Sequence, residues 1–170
     1  MVRKICYYGN PILRKKAAKV EKFDNELKEL IDDMIETMYE ADGVGLAAPQ
    51  IGESLQIAIV DPDPSQNGLT RIVLMNPEIE TIGIESEVKE EGCLSVPGIY
   101  SEVKRNLRLK VKAQDIDGSP LEFEADGFFA RIIQHETDHL NGVLFVDKVI
   151  PREKSKVEKK LKELFKFHAV

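Results

Sequence analysis

The sequence predicts an α+β fold from three observations. Apolar residues recur at three- and four-residue spacing in a segment that begins near Asp24 and in another that follows Pro151, which predicts two amphipathic helices. Between residue 55 and about residue 125, short apolar runs are separated by Pro, Gly, Asn and Asp, which is typical of β-strands. A further helical pattern follows at about 126–141. A β-rich middle flanked by helices is what the α+β class requires.

Composition indicates one ordinary globular domain spanning residues 1–170. The chain has 170 residues, of which 42% are hydrophobic and 32% are charged. The first eleven residues, MVRKICYYGNP, lack the apolar stretch of a signal peptide, and no run of about 18 apolar residues could span a membrane. The two cysteines, Cys6 and Cys93, do not suggest a disulfide framework. We therefore expect a cytosolic protein without membrane contact.

The first element of regular structure is a long helix that follows an irregular arm. Residues 1–22 carry turn signals and a basic run, so we expect them to wrap the domain. Asp24 is suited to the N-cap position, and Gly43 is expected to end the helix. The apolar face of this helix is formed by Leu27, Leu30, Ile31, Met34, Ile35 and Met38.

The glycine-rich segment 43–52, GVGLAAPQIG, resembles a dinucleotide-binding fingerprint only superficially. That fingerprint requires a strand before it and a helix after it. Here a helix precedes it, Pro49 interrupts it and an apolar strand follows. We reject nucleotide binding and interpret the small residues as positions where the backbone comes close to a ligand.

Five strands are predicted in the middle of the chain. The strand at 107–113 alternates apolar with polar residues, so it should be half-buried. Two segments, 63–68 and 115–120, read as turns. The predicted strands are Leu55–Val60, Arg71–Met75, Glu78–Val88, Leu107–Ala113 and Leu121–Glu124.

The segment 134–139, QHETDH, carries the strongest chemical signal. On a helix, His135 and His139 are four residues apart and can bind one metal ion, while Glu136 is placed to take a proton from water. Asp126 as N-cap, Gly142 at the C-terminal end and four apolar residues between them support the helix. The alternative is an amphipathic helix with two surface histidines. The apolar residues are Phe129, Ile132, Ile133 and Leu140, and the third histidine of the chain, His168, is expected to be exposed.

A catalytic metal needs a third protein ligand, for which the residues leave several candidates. The metzincin pattern fails, because Phe145 stands where its third histidine should be. Glu153 or Glu158, on the last helix, could complete the site as in other zincins. Cys93 could do so from the β-rich region, whereas Cys6 is better interpreted as a small buried hydrophobe.

Three motifs in this order resemble those of the peptide deformylases: GVGLAAPQ at 43–50, EGCLS at 91–95 and QHETDHLNG at 134–142. The resemblance covers nearly the whole chain. It implies antiparallel β-sheets packed around a central metal-binding HExxH helix, with a long N-terminal helix and a C-terminal helix. The implied activity is metal-dependent removal of the N-formyl group from the N-terminal methionine of nascent polypeptides in the bacterial cytoplasm, with release of formate.

The resemblance also implies roles for individual residues. Glu136 would act as general base and then acid, while the Gln50 side chain and the Leu94 backbone N–H would donate hydrogen bonds to the oxyanion. The physiological metal would be Fe²⁺, with Zn²⁺, Ni²⁺ or Co²⁺ able to replace it. The implied metal ligands are Cys93, His135 and His139.

An apolar pocket for the methionine side chain is expected beside the metal. Arg131 precedes His135 by one helical turn, so its stem could line this pocket while its charge reaches solvent, and a plain surface arginine is the alternative. We expect Arg105 and Glu91 to form a pair that orients the cysteine segment. Asp138 is expected to point away from the ligand face of the helix and to make structural hydrogen bonds. The candidate substrate-binding residues are Gly43, Val44, Gly45, Gly92, Phe128 and Arg131.

The C-terminal segment 151–170 differs in charge from the remainder of the chain. It carries a net +4, whereas the whole chain has a net charge of −6. Such a helix is usually a solvated surface, and less often it contacts nucleic acid, which for a deformylase would be the ribosome. Two other functions compete with deformylation: a small zincin endopeptidase with a glutamate as third ligand, and a metal-stabilised binding module without catalysis.

Overall fold

The computed structural model describes the backbone of residues 1–168 and the side chains of residues 1–166. The expected exposure of the His168 side chain lies outside these described residues. The described chain confirms the α+β class with antiparallel sheets. Within it, no helix is both long enough and apolar enough to cross a membrane. The α-helices are α1 (Asn25–Glu40), α2 (Gly127–Leu140) and α3 (Lys154–His168).

The strands form a five-stranded antiparallel sheet, in the order β1-β2-β3-β6-β7, and a separate hairpin of β4 and β5 in the part of the chain described. On β6, Leu109 and Val111 are fully buried, whereas Arg108 and Lys112 on either side of them are exposed and Lys110 between them is half-buried, as the alternation predicts. The strands are β1 (Gly45–Ala47), β2 (Ile57–Val60), β3 (Ile72–Thr81), β4 (Ser86–Cys93), β5 (Val96–Asn106), β6 (Arg108–Gln114) and β7 (Pro120–Asp126).

Two strands, β1 and β5, were not predicted from the sequence. β1 has only three residues and pairs with β2 inside the glycine-rich segment, where small residues hide the strand signal. β5 contains Pro97 and Gly98 near its start, and both are unfavourable in strands. Its hairpin partner β4 supplies the pairing that overrides this preference. The predicted run 78–88 is divided between β3 and β4.

Helix α1 starts where predicted and ends earlier. The Asp24 carboxylate accepts a hydrogen bond from the Leu27 N–H at 3.0 Å, which caps the first turn. The last helical residue is Glu40, and the left-handed conformation that follows falls on Asp42, with φ 56°, not on Gly43. Aspartate is one of the few residues other than glycine that tolerate this conformation. Gly43 therefore does not cap the helix and belongs to the segment that leads into β1.

Helix α2 packs against β1, β2 and β7, with buried apolar residues toward the sheet. Asp126 occupies the N-cap position, although its side chain makes no capping hydrogen bond within the described residues. Gly142, with φ 73°, follows the helix as predicted. A side chain there would collide with the Arg14 backbone, because a Cβ would lie 2.5 Å from the Arg14 carbonyl oxygen.

The N-terminal arm joins several elements, as expected of a wrapping segment. The Cys6 N–H donates to the Gln50 carbonyl at 2.7 Å, and the Ala17 N–H donates to the Leu140 carbonyl at 2.9 Å. Both cysteine thiols are free, in agreement with the sequence. Helix α3 lies on the surface and inserts Val157 into an apolar cluster near β5.

Candidate metal centre and active site

Helix α2 holds the two histidines of QHETDH on its buried side. His135 and His139 are 9% and 1% exposed, so the alternative of surface histidines is wrong. Their ring centroids lie 5.1 Å apart, as expected for residues separated by one turn. Phe145, at the place of the metzincin histidine, packs against the His135 ring with 6.0 Å between centroids.

Cys93, at the end of β4, reaches the same point from the hairpin. Its Sγ lies 3.3 Å from His139 Nε2, and ligand atoms of Cys93, His135 and His139 all lie within 4.8 Å of one another. A thiolate and two imidazoles are a ligand set for Zn²⁺ or Fe²⁺, and one ion can bridge atoms at these separations. In the described chain this is the cluster suited to a metal, and neither Glu153 nor Glu158 belongs to it.

The two histidines have opposite electrostatic surroundings. Burial, and then the nearby His135 and Arg105, lower the pKa of His139 well below its ordinary value, which favours the neutral ligand form. Burial also opposes a charge on His135, but Glu136, Cys93 and Glu91 outweigh it and raise the pKa of His135. A metal bound at Nε2 of His135 must therefore displace a proton.

Glu91 orients His135 from behind. Its Oε1 lies 3.0 Å from His135 Nδ1, which leaves Nε2 available to a metal. Arg105 donates two hydrogen bonds of 2.9 Å to the same carboxylate, so the predicted pair is confirmed. Burial disfavours the ionised form, but the hydrogen bonds from His135 and Arg105 outweigh it and lower the pKa of Glu91 to about 2.

Arg131 and Asp138 extend this group of buried charges. Asp138 accepts a 2.6 Å hydrogen bond from Arg105 and a 3.1 Å bond from Lys148, which agrees with its predicted structural role. The Arg131 guanidinium does not reach solvent, contrary to both sequence interpretations, because it donates to Glu91 Oε2 at 2.6 Å. The hairpin β4–β5 covers this guanidinium, and nothing local to α2 in the sequence reveals that.

Glu136 is a buried carboxyl group directed into the site. Its side chain is 5% exposed, and Oε1 has no hydrogen-bond partner among the described residues. Burial raises the pKa of Glu136 to about 7, against the opposing effect of His135. A carboxyl group that titrates near neutrality can both accept and return a proton. Gly45 packs directly on this carboxylate, and a Cβ at position 45 would overlap it.

Gln50 lies beside Cys93 in a fixed orientation. The Ala47 N–H donates to its Oε1 at 2.9 Å, which directs the amide NH₂ toward Cys93 Sγ at 3.5 Å and Ser95 Oγ at 3.1 Å. Ser95 was not singled out in the sequence, although it belongs to the EGCLS motif. Leu94, which lies between Cys93 and Ser95 in the sequence, lines the opening of the site.

A cleft of about 430 Å³ opens onto these groups. It is bounded by the glycine-rich segment on one side, the end of β4 on another and the start of α2 on a third. Tyr100, 61% exposed, also lines it and was not predicted; its ring fills the space next to Gly92, where a Cβ would lie 2.5 Å away. The cleft brings together all six candidate substrate-binding residues: Gly43, Val44, Gly45, Gly92, Phe128 and Arg131.

Comparison with known proteins gives a consistent result. Residues 2–155 match the family model for polypeptide deformylase. The chain is 51% identical over 160 residues to a peptide deformylase of Dictyoglomus thermophilum, covering 94% of this chain and 100% of the relative. The crystal structure of peptide deformylase from Thermotoga maritima aligns with a TM-score of 0.84 at 49% identity, covering 89% of this chain and 99% of that one.

A second solved structure, a peptide deformylase from Legionella pneumophila, aligns with a TM-score of 0.87 at 45% identity. The alignment covers 98% of this chain and 97% of that one. The chain therefore belongs to the polypeptide deformylase family and is an enzyme. The interpretations as an endopeptidase or a non-catalytic binding module are wrong.

Proposed function

We propose that this polypeptide deformylase removes the N-formyl group from the N-terminal methionine of newly synthesised polypeptides and releases formate. The observation that carries the proposal is the buried Glu136 carboxyl, whose pKa is about 7, next to the Cys93, His135 and His139 cluster in an open cleft. This combination supplies a proton acceptor and a place for a metal at the point that a formylated chain end can enter.

Cys93, His135 and His139 would hold one divalent metal ion, with α2 as the central metal-binding helix around which the sheets pack. When bound, such an ion lowers the pKa of water from about 15.7 to about 7 and polarises the carbonyl under attack. We propose Fe²⁺ as the physiological ion, with Zn²⁺, Ni²⁺ or Co²⁺ able to take its place. The thiolate ligand supports this group of metals as a whole, because it suits soft and borderline ions and disfavours Mg²⁺ and Ca²⁺.

Metal content and oxygen sensitivity test this assignment together. Protein purified without oxygen should contain about one iron per chain and lose activity in air. Activity that survives in air with zinc bound would contradict Fe²⁺ as the working ion and leave the ligand assignment intact.

Glu136 is proposed to move the proton in both halves of the reaction. Its carboxylate takes a proton from the attacking water and returns it to the nitrogen that leaves as the formyl C–N bond breaks, so that formate and a free amine result. Burial supports this role because a carboxyl with a pKa of about 7 is ready for both transfers.

Gln50 and Leu94 are proposed to stabilise negative charge on the former carbonyl oxygen. The Gln50 amide is held by the Ala47 N–H and directs its NH₂ group to the Cys93 side of the cleft, so it donates without reorganisation. The backbone N–H of Leu94, which follows Cys93, would be the second donor. Loss of one such donor typically lowers the rate about 10²–10³-fold.

The cleft is proposed to hold the methionine side chain and to admit only a small acyl group. Val44, Phe128 and the stem of Arg131 offer apolar surface, while Gly43, Gly45 and Gly92 leave little added room. Acetyl-methionyl peptides should therefore be cleaved far more slowly than formyl-methionyl peptides. Comparable rates would contradict selection by size.

The experiment that tests the proposed function is formate release from a formyl-methionyl tripeptide, with bound metal quantified on the same sample. Wild-type protein with about one metal per chain should release formate rapidly. Cys93→Ala should lose metal and activity together, whereas Glu136→Gln should keep metal and lose activity. A metal-loaded wild-type protein that releases no formate would overturn the proposal.

We further propose that residues 1–170 form a single catalytic domain whose basic segment 151–170 contacts the ribosome in the bacterial cytoplasm. Curated relatives from Thermotoga maritima and Dictyoglomus thermophilum are bacterial, and Lys156, Lys159 and Lys160 on α3 are exposed. Replacing these three lysines with glutamate should weaken co-sedimentation with ribosomes, because binding to RNA depends on cationic contacts. Unchanged co-sedimentation would favour a solvated helix.

A further inference from the structure

The Arg131 side chain is part of the wall of the cleft, yet its charged end is used elsewhere. The residue is 6% exposed and lies on α2 one turn before His135. A guanidinium this deeply buried must be paired with an opposite charge, because leaving a buried charge unpaired is strongly destabilising. The partners of this guanidinium therefore indicate its role better than its place in the cleft does.

All the side-chain hydrogen bonds of Arg131 among the described residues go to the hairpin β4–β5. Nη1 donates to Glu91 Oε2 at 2.6 Å and to the Val103 carbonyl at 3.0 Å, and Nη2 donates to the Glu87 carbonyl at 2.6 Å. Two of these acceptors are backbone atoms, one on each strand. One α2 side chain thus attaches both strands of the hairpin to the helix.

This attachment joins the two elements that supply the proposed metal ligands. Cys93 is the last residue of β4, whereas His135 and His139 lie on α2. Glu91, two residues before Cys93, is held by Arg131 on Oε2 and touches His135 through Oε1. A shift of the hairpin relative to α2 would therefore move the thiolate and the orienting carboxylate together.

Arg105 cannot replace this contact. It lies on β5, so its bonds to Glu91 stay within the hairpin, and its single bond to α2 goes to Asp138, on the far side of His135. Arg131 is the residue of α2 that bonds directly to the β4 backbone among the contacts described.

We propose that Arg131 is a positioning residue that sets the distance between Cys93 and the two histidines, and that it does not bind substrate through its charge. The proposal rests on the ligand set given under the proposed function. It predicts that loss of the guanidinium weakens the metal site and leaves substrate affinity of the loaded enzyme unchanged.

The test is a Co²⁺ titration of metal-free Arg131→Met, followed through the thiolate-to-cobalt absorption band, which reports ligation by Cys93. Methionine keeps the apolar stem along the cleft and removes only the charged end. We expect the Co²⁺ dissociation constant to rise about 10–100-fold, the usual effect of losing a group that orients metal ligands. KM of the cobalt-loaded variant should stay within about twofold of wild type.

Two further variants make the result decisive. Arg108→Met removes an exposed arginine of β6 and should leave the Co²⁺ titration unchanged. Arg131→Lys keeps the charge but cannot reach Glu91 and both carbonyls at once, so it should give an intermediate loss; it decides the question by the same criterion if Arg131→Met does not fold. An unchanged Co²⁺ dissociation constant, above all with a raised KM, would overturn the proposal in favour of substrate binding.

The titration needs no turnover, so it remains informative if the proposed activity is wrong. Weaker Co²⁺ binding by Arg131→Met in a protein that releases no formate would support the positioning role and contradict only the deformylation reaction.

Discussion

Helices α2 and α3 have nearly the same length, 14 and 15 residues, but they bury different kinds of residue. On α3, Val157 is buried and the lysines around it are exposed. On α2, the polar residues are buried as well as the apolar ones, including Arg131, Gln134, His135, Glu136, Thr137 and His139.

The difference shows what each helix requires from the remainder of the chain. The lysines of α3 are hydrated, so an apolar stripe on the helix is enough to pack α3 against the rest of the domain. The buried polar groups of α2 need partners that replace water. Those partners, such as Glu91 on β4 and the Val103 carbonyl on β5, lie 28 to 44 residues away along the chain. The helix that needs most from distant residues is the one that carries the chemistry.

The largest effect is expected when the buried carboxyl of α2 is neutralised. Glu136→Gln should lower kcat about 10²–10⁴-fold, the usual contribution of a general acid–base group, without loss of bound metal. Steady-state formate release with metal analysis measures this. The matched change on α3, Glu158→Gln, should leave kcat unchanged, since that residue is exposed. An equal loss of kcat in both variants would show that the buried carboxyl of α2 has no catalytic role that the exposed carboxyl of α3 lacks.

A second change removes a distant partner of α2. Glu91→Gln leaves Arg131 without its carboxylate partner and Arg105 with Asp138 alone, so we expect a loss of about 3–5 kcal/mol in the free energy of unfolding. Denaturant unfolding monitored by circular dichroism measures it.

The control for this change is an ion pair next to α3. Glu102 pairs with Arg152 at 2.9 Å, with side-chain exposures of 35% and 70%. Glu102→Gln should cost no more than about 1 kcal/mol, because exposed pairs contribute little. Similar losses in the two variants would contradict the distinction between buried and solvated charges.

The same contrast explains how much the sequence could predict. Helix α3 and the spacing of His135 and His139 follow from local periodicity, which can be recognised directly in a sequence. Cys93 could not be chosen over Glu153 and Glu158 from the residues alone, because its contact with His139 spans 46 positions. The motif resemblance supplied it.

Other errors have the same origin. The charge of Arg131 was expected to reach solvent, because no local pattern shows that the β4 and β5 carbonyls lie over the helix. Strand β5 was missed since its Pro97 and Gly98 argue against a strand, and only pairing with β4 makes one. The end of α1 was misplaced by one residue, because Asp42 takes the left-handed conformation expected of Gly43.

A smaller effect is expected from the apolar attachment of α3. Val157 is 3% exposed, and Val157→Ala removes two buried methyl groups, so the free energy of unfolding should fall by about 1.5–2 kcal/mol. Ile133→Ala, at a fully buried position on α2, should cost about 2–5 kcal/mol. Thermal and denaturant unfolding of the two variants compare them directly. A larger loss at Val157 would mean that α3 is attached more firmly than the burial of Val157 alone indicates.

The smallest effect is expected on the solvated face of α3. Lys160 is exposed, and alanine favours the helix slightly more than lysine does, so Lys160→Ala should change the free energy of unfolding by less than about 0.5 kcal/mol in either direction. The substitution removes the charge together with an exposed aliphatic stem, and formate release should be unaffected. Equilibrium denaturation beside wild type, at low and at moderate salt, measures the difference. A loss above about 1 kcal/mol at low salt that disappears at moderate salt would show that this lysine is held by the acidic body of the protein. In that case α3 would also depend on distant partners, and its basic face would be less free to meet a ribosome.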